Sequence, residues 1–310
     1  MNNTSLHGKT ILLVHAGNEG KRFIIHKLRK LGMNVICLNK EKVPALQPHV
    51  DHWIIADPNN ARESVENIKS FIASHPRVRI GGAVTFWEEA VLTTSKITDT
   101  FNWIGIPYNI AKQTKNKYLF REFCNKNGIP APKHKLFSGN KSIKQIEKKL
   151  SYPMVMKPVY GAASFFVVKV ENRKDIEDTY EYIKNSIKSN WLAKEWENMD
   201  LLVEEYIDGD EVDIDIILQN GKIKFHTISD NFNKSKDKFF IDSGQAIPSG
   251  LPEIDQKKLI DLAEETLEKL AIQNAIIHYE AKISKGVAYP IEVNLRMGGD
   301  YIPSYIKGAW

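Results

Sequence analysis

Residues 278–299 read HYEAKISKGVAYPIEVNLRMGG, two alternating runs joined across a Ser-Lys-Gly turn. Period two puts His278, Glu280 and Lys282 on one face of the first run, and Glu292, Asn294 and Arg296 on one face of the second. Counted with a three-residue loop at 285–287, Ser284 pairs with Ala288 and Glu280 falls opposite Glu292. Two carboxylates about 5 Å apart repel each other. A hard cation between them reverses that sign, and two acids with an amide oxygen suit Mg²⁺ or Mn²⁺. A polar solvent face with a slipped register explains the same alternation, and the stretch alone leaves both readings open. Behind the polar positions, Ile291, Val293 and Leu295 are expected to be buried. Gly298-Gly299 then lets backbone come close to a substrate.

The rest of the chain bounds the problem. It has 310 residues, 42% hydrophobic and 26% charged, with a net charge of +5, which describes a globular protein of two or three domains. Much of the lysine lies between Lys112 and Lys149, ordinarily a solvated face, and no recognised nucleic-acid module accompanies it. Cys37 and Cys124 are far apart and support neither a disulfide framework nor a zinc cluster. The N-terminus lacks the apolar stretch of a signal peptide, and no apolar run reaches membrane-spanning length, so a cytoplasmic protein without membrane or nucleic-acid partners is expected.

The first part alternates strand and helix. TILLVH (10–15) is apolar throughout, as in a strand buried on both faces, and a helical pattern through Phe23, Ile24, Leu28 and Leu31 leads to VICLN. The intervening GNEGK has its glycines too close together for a phosphate loop and reads as a tight strand-to-helix turn. Strands are expected at 53–57 and 81–86, helices at 61–74 and 88–100, and a domain end near residue 110. Further on, PMVMKP and VVKV flank the small-residue turn GAAS, LLVEEYI and EVDIDIIL are joined by DGD, and Asn220-Gly221 makes a hairpin turn. Helices are expected at about 142–150, 174–188 and 254–271.

Several side chains there have two readings. Lys157, on an apolar strand before the small-residue loop, can hold a phosphate while amides of Gly161 to Ser164 cap its oxygens, or it can snorkel to water. Lys117 can be a surface helix residue. Glu204 and Glu211 can meet an adenine amine and ribose hydroxyls, or belong to a charged hairpin loop.

The order of these items carries more than any one of them. TKNKYLFREFCNKNGIPAPKHKLF, VMKPVYGAASFFVVKV, LLVEEYIDGDEVDIDI and HYEAKIS…YPIEVNLRMGGD together resemble the ATP-grasp superfamily of carboxylate–amine ligases, over about 115–310. The resemblance implies an α/β (α+β ATP-grasp) chain. A Rossmann-like domain at 1–110 comes first. The small ATP-grasp subdomain with its phosphate-covering lid follows at 111–200, and the subdomain with the metal and substrate site at 201–310. It implies ATP and Mg²⁺ (or Mn²⁺) as cofactors. Lys117, Lys157, Gly161 and Ser164 fall at the phosphates. Glu204 falls at the adenine amine, the backbone at Tyr206 and Ile207 at the ring edge, and Glu211 at the ribose. Glu280, Glu292 and Asn294 become metal ligands, and Arg296, with Lys157, a catalytic cation.

Within the superfamily the chain looks most like L-amino-acid ligases that make dipeptides. That implies an acyl phosphate and release of ADP and phosphate, with Asp242, Gln245, Arg296 and Gly299 at the substrates. The position of Gln245 is often His in such ligases, and a glutamine cannot take a proton. Relatives usually continue past RMGGD, so a truncated, non-catalytic binder of ATP and metal stays open, as does a purine-pathway or carboxylase-type enzyme. A homodimer is compatible with the sequence.

Overall fold

The computed structural model describes residues 6–17, 22–162, 164–189, 200–233, 238–240 and 242–299, and the GNEGK turn lies largely outside them. The chain divides into two compact units. The first is 1–112 with 272–276 and 295–297, and the second comprises 113–271, 277–294 and 298–310.

The first unit begins β1 (Thr10–Val14), α1 (Arg22–Lys30), β2 (Asn34–Asn39), β3 (His52–Ile55), α2 (Ala61–Ser74), β4 (Ile80–Val84) and α3 (Val91–Phe101). Its sheet has the order β3-β2-β1-β4 with every pairing parallel. Leu12 and Val14 pack with Ile36, Leu38, Ile68 and Ile97 on one face, while Leu13 packs with Val35, Cys37, Ile25 and Leu46 on the other. This two-sided burial is why TILLV shows no alternation. The sequence places a helix directly at 88; instead a 3₁₀ turn, Glu88–Ala90, precedes α3.

After α4 (Tyr108–Lys115), which the sequence pattern missed, the second unit holds α5 (Lys117–Lys126), β5 (His134–Phe137), α6 (Ile143–Glu147), β6 (Met154–Pro158), β7 (Val168–Val170) and α7 (Arg173–Ser189). Then come β8 (Leu201–Glu205), β9 (Asp210–Gln219), β10 (Lys222–Asn233), β11 (Asp242–Ala246), α8 (Glu253–Lys269), β12 (Ala275–Ser284) and β13 (Val287–Asn294). Two antiparallel sheets result, β5-β8-β6-β7 and β11-β10-β9-β12-β13. β8 joins the first of them, pairing Glu204 with Val155, although it is joined to β9 by only the short 206–209 stretch. The parallel sheet followed by antiparallel sheets is the α/β class expected. Cys37 and Cys124 are both free and buried. Among the described residues no helix is long and apolar enough to cross a membrane.

Candidate active site

β12 and β13 bring Glu280 opposite Glu292 and His278 opposite Asn294, by a route the sequence did not suggest. The turn has two residues, not three: Lys285 and Gly286 take φ of 49° and 76°, the left-handed pair of a type I′ hairpin. Ser284 therefore pairs with Val287, one residue off the expected register. A bulge then inserts Ile291 between the pairs Ala281–Pro290 and Glu280–Glu292, and this restores the acid pair. The extra residue interrupts the alternation. Val293 and Leu295 are buried as expected, whereas Ile291 is only half-buried.

The two glutamates are differently served. Asn294 Nδ2 donates to Glu280 Oε1 at 3.0 Å, and Lys117 Nζ donates to Glu292 Oε1 at 3.0 Å. Burial first, then the charges of Glu292 and Asp213, push the Glu280 carboxyl well above the ordinary carboxylate range. Such a group is ready to trade its proton for a cation. Two acids and an amide are hard oxygen donors, so the residues fit Mg²⁺ or Mn²⁺.

Lys117 reaches Glu292 because of its place in the helix. Asn116 caps α5, its Oδ1 accepting from the Leu119 amide at 2.9 Å, and the Lys117 amide donates to Val159 O at 2.9 Å, beside the end of β6. Lys117 Nζ also donates to Gly161 O at 3.2 Å. One turn on, Arg121 is fully buried. Its Nε donates to Glu204 Oε2 at 3.0 Å, and its Nη2 to Glu204 Oε1 at 3.5 Å and to the bulged Ile291 O at 3.0 Å. Lys157 Nζ closes the triad on Glu204 Oε1. Burial alone would raise the Glu204 carboxyl, but Arg121 and Lys157 outweigh it and hold it down at about 2. Lys157 is lowered, by burial first and by Arg121 further, against the pull of Glu204. The carboxylate assigned to adenine is thus enclosed by two cations. Arg121 escaped the sequence reading, although its spacing of four from Lys117 puts both on one helix face.

The remaining assignments fall as follows. Glu211 Oε2 is 3.0 Å from Lys282 Nζ, and Lys282 lies 5.5 Å from the ring centres of Tyr206 and Phe240. Ile207 is buried. In the small-residue loop Ser164 has φ of 54°, and the Phe165 and Val167 amides donate to Ala162 O and Ser164 O. Ala163 and the side chain of Asp242 lie outside the described residues; the Asp242 backbone pairs with Asn233. Gln245 Nε2 donates to Asp213 Oδ2 at 3.0 Å and to Asn231 Oδ1 at 2.9 Å. Arg296 belongs to the first unit, where its Nε donates to Glu88 Oε2 at 3.0 Å. Gly299 has open space where a Cβ would stand, so the fold does not require its glycine.

A second group was also missed. His278 Nδ1 lies 3.3 Å from Asp215 Oδ1, which also accepts from the Gly298 amide at 3.0 Å. His278 Nε2 faces Asp213 at 3.7 Å and Glu280 at 3.9 Å. Burial would lower this imidazole, but Asp215, Asp213 and Glu280 raise it to about 9, so it stays protonated at neutral pH. The alternation of EVDIDI was the available signal, since it sets Glu211, Asp213 and Asp215 on one face.

With this geometry in hand, the family follows. The ATP-grasp domain model matches residues 150–304, half of the chain, and the chain belongs to that family. It is 22% identical over 319 residues to carnosine synthase 1 of Gallus gallus, taking in 98% of this chain and 34% of that protein. It is 22% identical over 251 residues to the alanine–anticapsin ligase of Bacillus subtilis (strain 168), covering 77% of this chain and 52% of that protein. The crystal structure of an L-amino acid ligase from Bacillus licheniformis has the same fold, with a TM-score of 0.79 at 24% identity, covering 97% of this chain and 70% of that one. The chain spans about a third to a half of the length of the curated relatives named here.

Proposed function

We propose that this chain is an ATP-dependent carboxylate–amine ligase acting on amino acids and releasing ADP and phosphate. The observation that carries the reading is the meeting of Glu280, Glu292 and Asn294 on one sheet face, with Lys117 bonded to Glu292. A nucleotide phosphate would take Lys117 and a divalent cation would take Glu292, so one ion pair becomes two without leaving a buried charge unmatched. Lys157 supports the phosphates from its seat on Glu204. In this reading Glu204 fixes Lys157, and adenine is met by the backbone at Tyr206 and Ile207. Glu211 serves the ribose, and Gly161 and Ser164 offer amides to the phosphates.

The substrate carboxylate attacks the γ-phosphorus, the bond to ADP breaks, and an acyl phosphate forms. Bound Mg²⁺ at Glu280, Glu292 and Asn294 would supply neutralisation of the transferring charge. Arg296, oriented by Glu88, offers a guanidinium to the acyl phosphate, and Gly299 leaves room for substrate beside the backbone. The test is incubation with ATP, Mg²⁺ and pairs of amino acids, followed for phosphate and for new masses. Phosphate and a condensed product appearing only with both a carboxylate and an amine are the expected result. Formation of AMP and pyrophosphate overturns the reading, and nucleotide binding without phosphate from any pair points to a non-catalytic binder.

A further inference from the structure

Gln245 pairs with Asn231, and Asn231 with Glu211, so the three side chains share the sheet face that bears Asp213, Asp215 and, through their contacts, His278 and Glu280. An amide nitrogen has two hydrogens, and both of Gln245's are committed, one to Asp213 Oδ2 at 3.0 Å and one to Asn231 Oδ1 at 2.9 Å. Turning the amide over would set its carbonyl against a carboxylate oxygen, acceptor against acceptor. The orientation is therefore fixed by chemistry. Oε1 must point away from both partners, makes no hydrogen bond among the described residues, and belongs to a half-buried side chain.

We propose that Gln245 Oε1 receives an N–H of the attacking amine, and that no side chain takes that amine's proton. The inference rests on the ligase reading above. The second substrate is then a primary amine that enters neutral. Its lone pair forms the C–N bond, and the C–O bond to phosphorus breaks with its electron pair passing to phosphate. The proton lost by nitrogen leaves on the phosphate, so atoms and charge balance without a protein base.

Most of the charged groups around Gln245 are already engaged, although Asp215 Oδ2 is buried without a hydrogen-bond partner among the described residues. Asp213 has Gln245 on one oxygen and faces His278 Nε2 with the other. Asp215 Oδ1 accepts from the Gly298 amide and lies beside His278, Glu211 lies against Lys282, and Glu280 accepts from Asn294. Asp230, next to Asn231, accepts from Ser249 Oγ and the Gly250 amide.

The test compares, for the wild-type chain, the pH dependence of kcat/KM for two amines of different basicity, such as an amino acid and its amide, at saturating carboxylate and MgATP. The acid limb is expected to move with the amine's own pKa, by about tenfold in rate per pH unit of difference. A limb at the same pH for both amines would mean a protein base and overturns the proposal. Gln245→Met removes the acceptor, and the KM for the amine should rise about tenfold or more while nucleotide affinity, which reports folding, is kept. An unchanged amine KM also overturns it. Hydroxylamine trapping of the acyl phosphate separates the two levels. Hydroxamate with either negative result above sinks only the role of Gln245, whereas neither hydroxamate nor amine-dependent phosphate sinks the ligase reading and this proposal with it.

Discussion

Two of the lysine–glutamate pairs in the second unit differ in their surroundings. Lys157–Glu204 is sealed, with side chains only 5% and 4% exposed, and Arg121 adds a second cation. Lys117–Glu292 is more open on its acid side, with 8% and 15% exposure, and the acid stands opposite Glu280. Removing charges from water is costly, and taking away one partner of a buried group costs most. In the sealed triad both cations bond to the one carboxylate of Glu204, and Arg121 Nη1 has no hydrogen-bond partner among the described residues. The open pair sits against a neighbouring carboxylate, the setting that the proposed exchange with a phosphate and a cation needs. The same two residue types thus stand in different settings, set by burial and by the third charge nearby: a cation beside Lys157–Glu204 and a carboxylate beside Lys117–Glu292.

The strongest way to break this contrast is Glu204→Ala, which leaves Arg121 and Lys157 buried without their anion. A loss of about 3–5 kcal/mol is expected in denaturant unfolding. A loss below about 1 kcal/mol would show that the triad is not sealed. Glu292→Gln should cost less stability than Glu204→Ala, because Lys117 loses its anion but keeps Gly161 O and repulsion with Glu280 falls, while turnover drops on the order of a thousandfold. Near-normal turnover at low Mg²⁺ would remove Glu292 from the site.

The same substitution also frees Lys117. Binding of ATP without Mg²⁺, measured by calorimetry, should tighten by up to about fivefold, the worth of a partly exposed pair. Weaker binding would mean that Lys117 does not face the phosphates.

Acid titration sharpens the sealed side further. The Glu204 carboxyl is lowered from 4.5 to about 2 on folding, so the unfolded chain binds its proton first. Its contribution is full above about 4.5 and is lost as pH falls toward 2. Glu204→Gln should flatten that limb of the stability profile, and an unaltered acid limb would contradict the assignment. The smallest effect is expected at Gly299→Ala: stability within about 0.5 kcal/mol, since the added methyl meets no protein atom, with a modest fall in kcat/KM if substrate passes there.

Much of this was legible along the chain. An unbroken apolar TILLV marked a strand with packing on both faces, and the order of the lysine, small-residue loop, acid-rich strand and E…EVN segments marked the family. Alternation also placed Glu280, Glu292 and Asn294 on polar faces. Periodicity reaches only a few residues, however. The bond from Lys117 to Glu292 spans 175 positions and that from Arg121 to Glu204 spans 83.

What the sequence determined by itself was therefore the periodic content: which runs are strands, which faces are polar, and which acids and lysines stand ready. Tertiary structure alone decided the partners. It moved the hairpin turn by one residue and recovered the acid pair through the bulge at Ile291, whose carbonyl Arg121 then satisfies. It enclosed Glu204, raised His278 between two aspartates, and turned the Gln245 carbonyl outward. The reason is physical. A side chain's period is set by backbone geometry within its own strand, whereas its charge state and partners are set by burial among residues that only folding brings near.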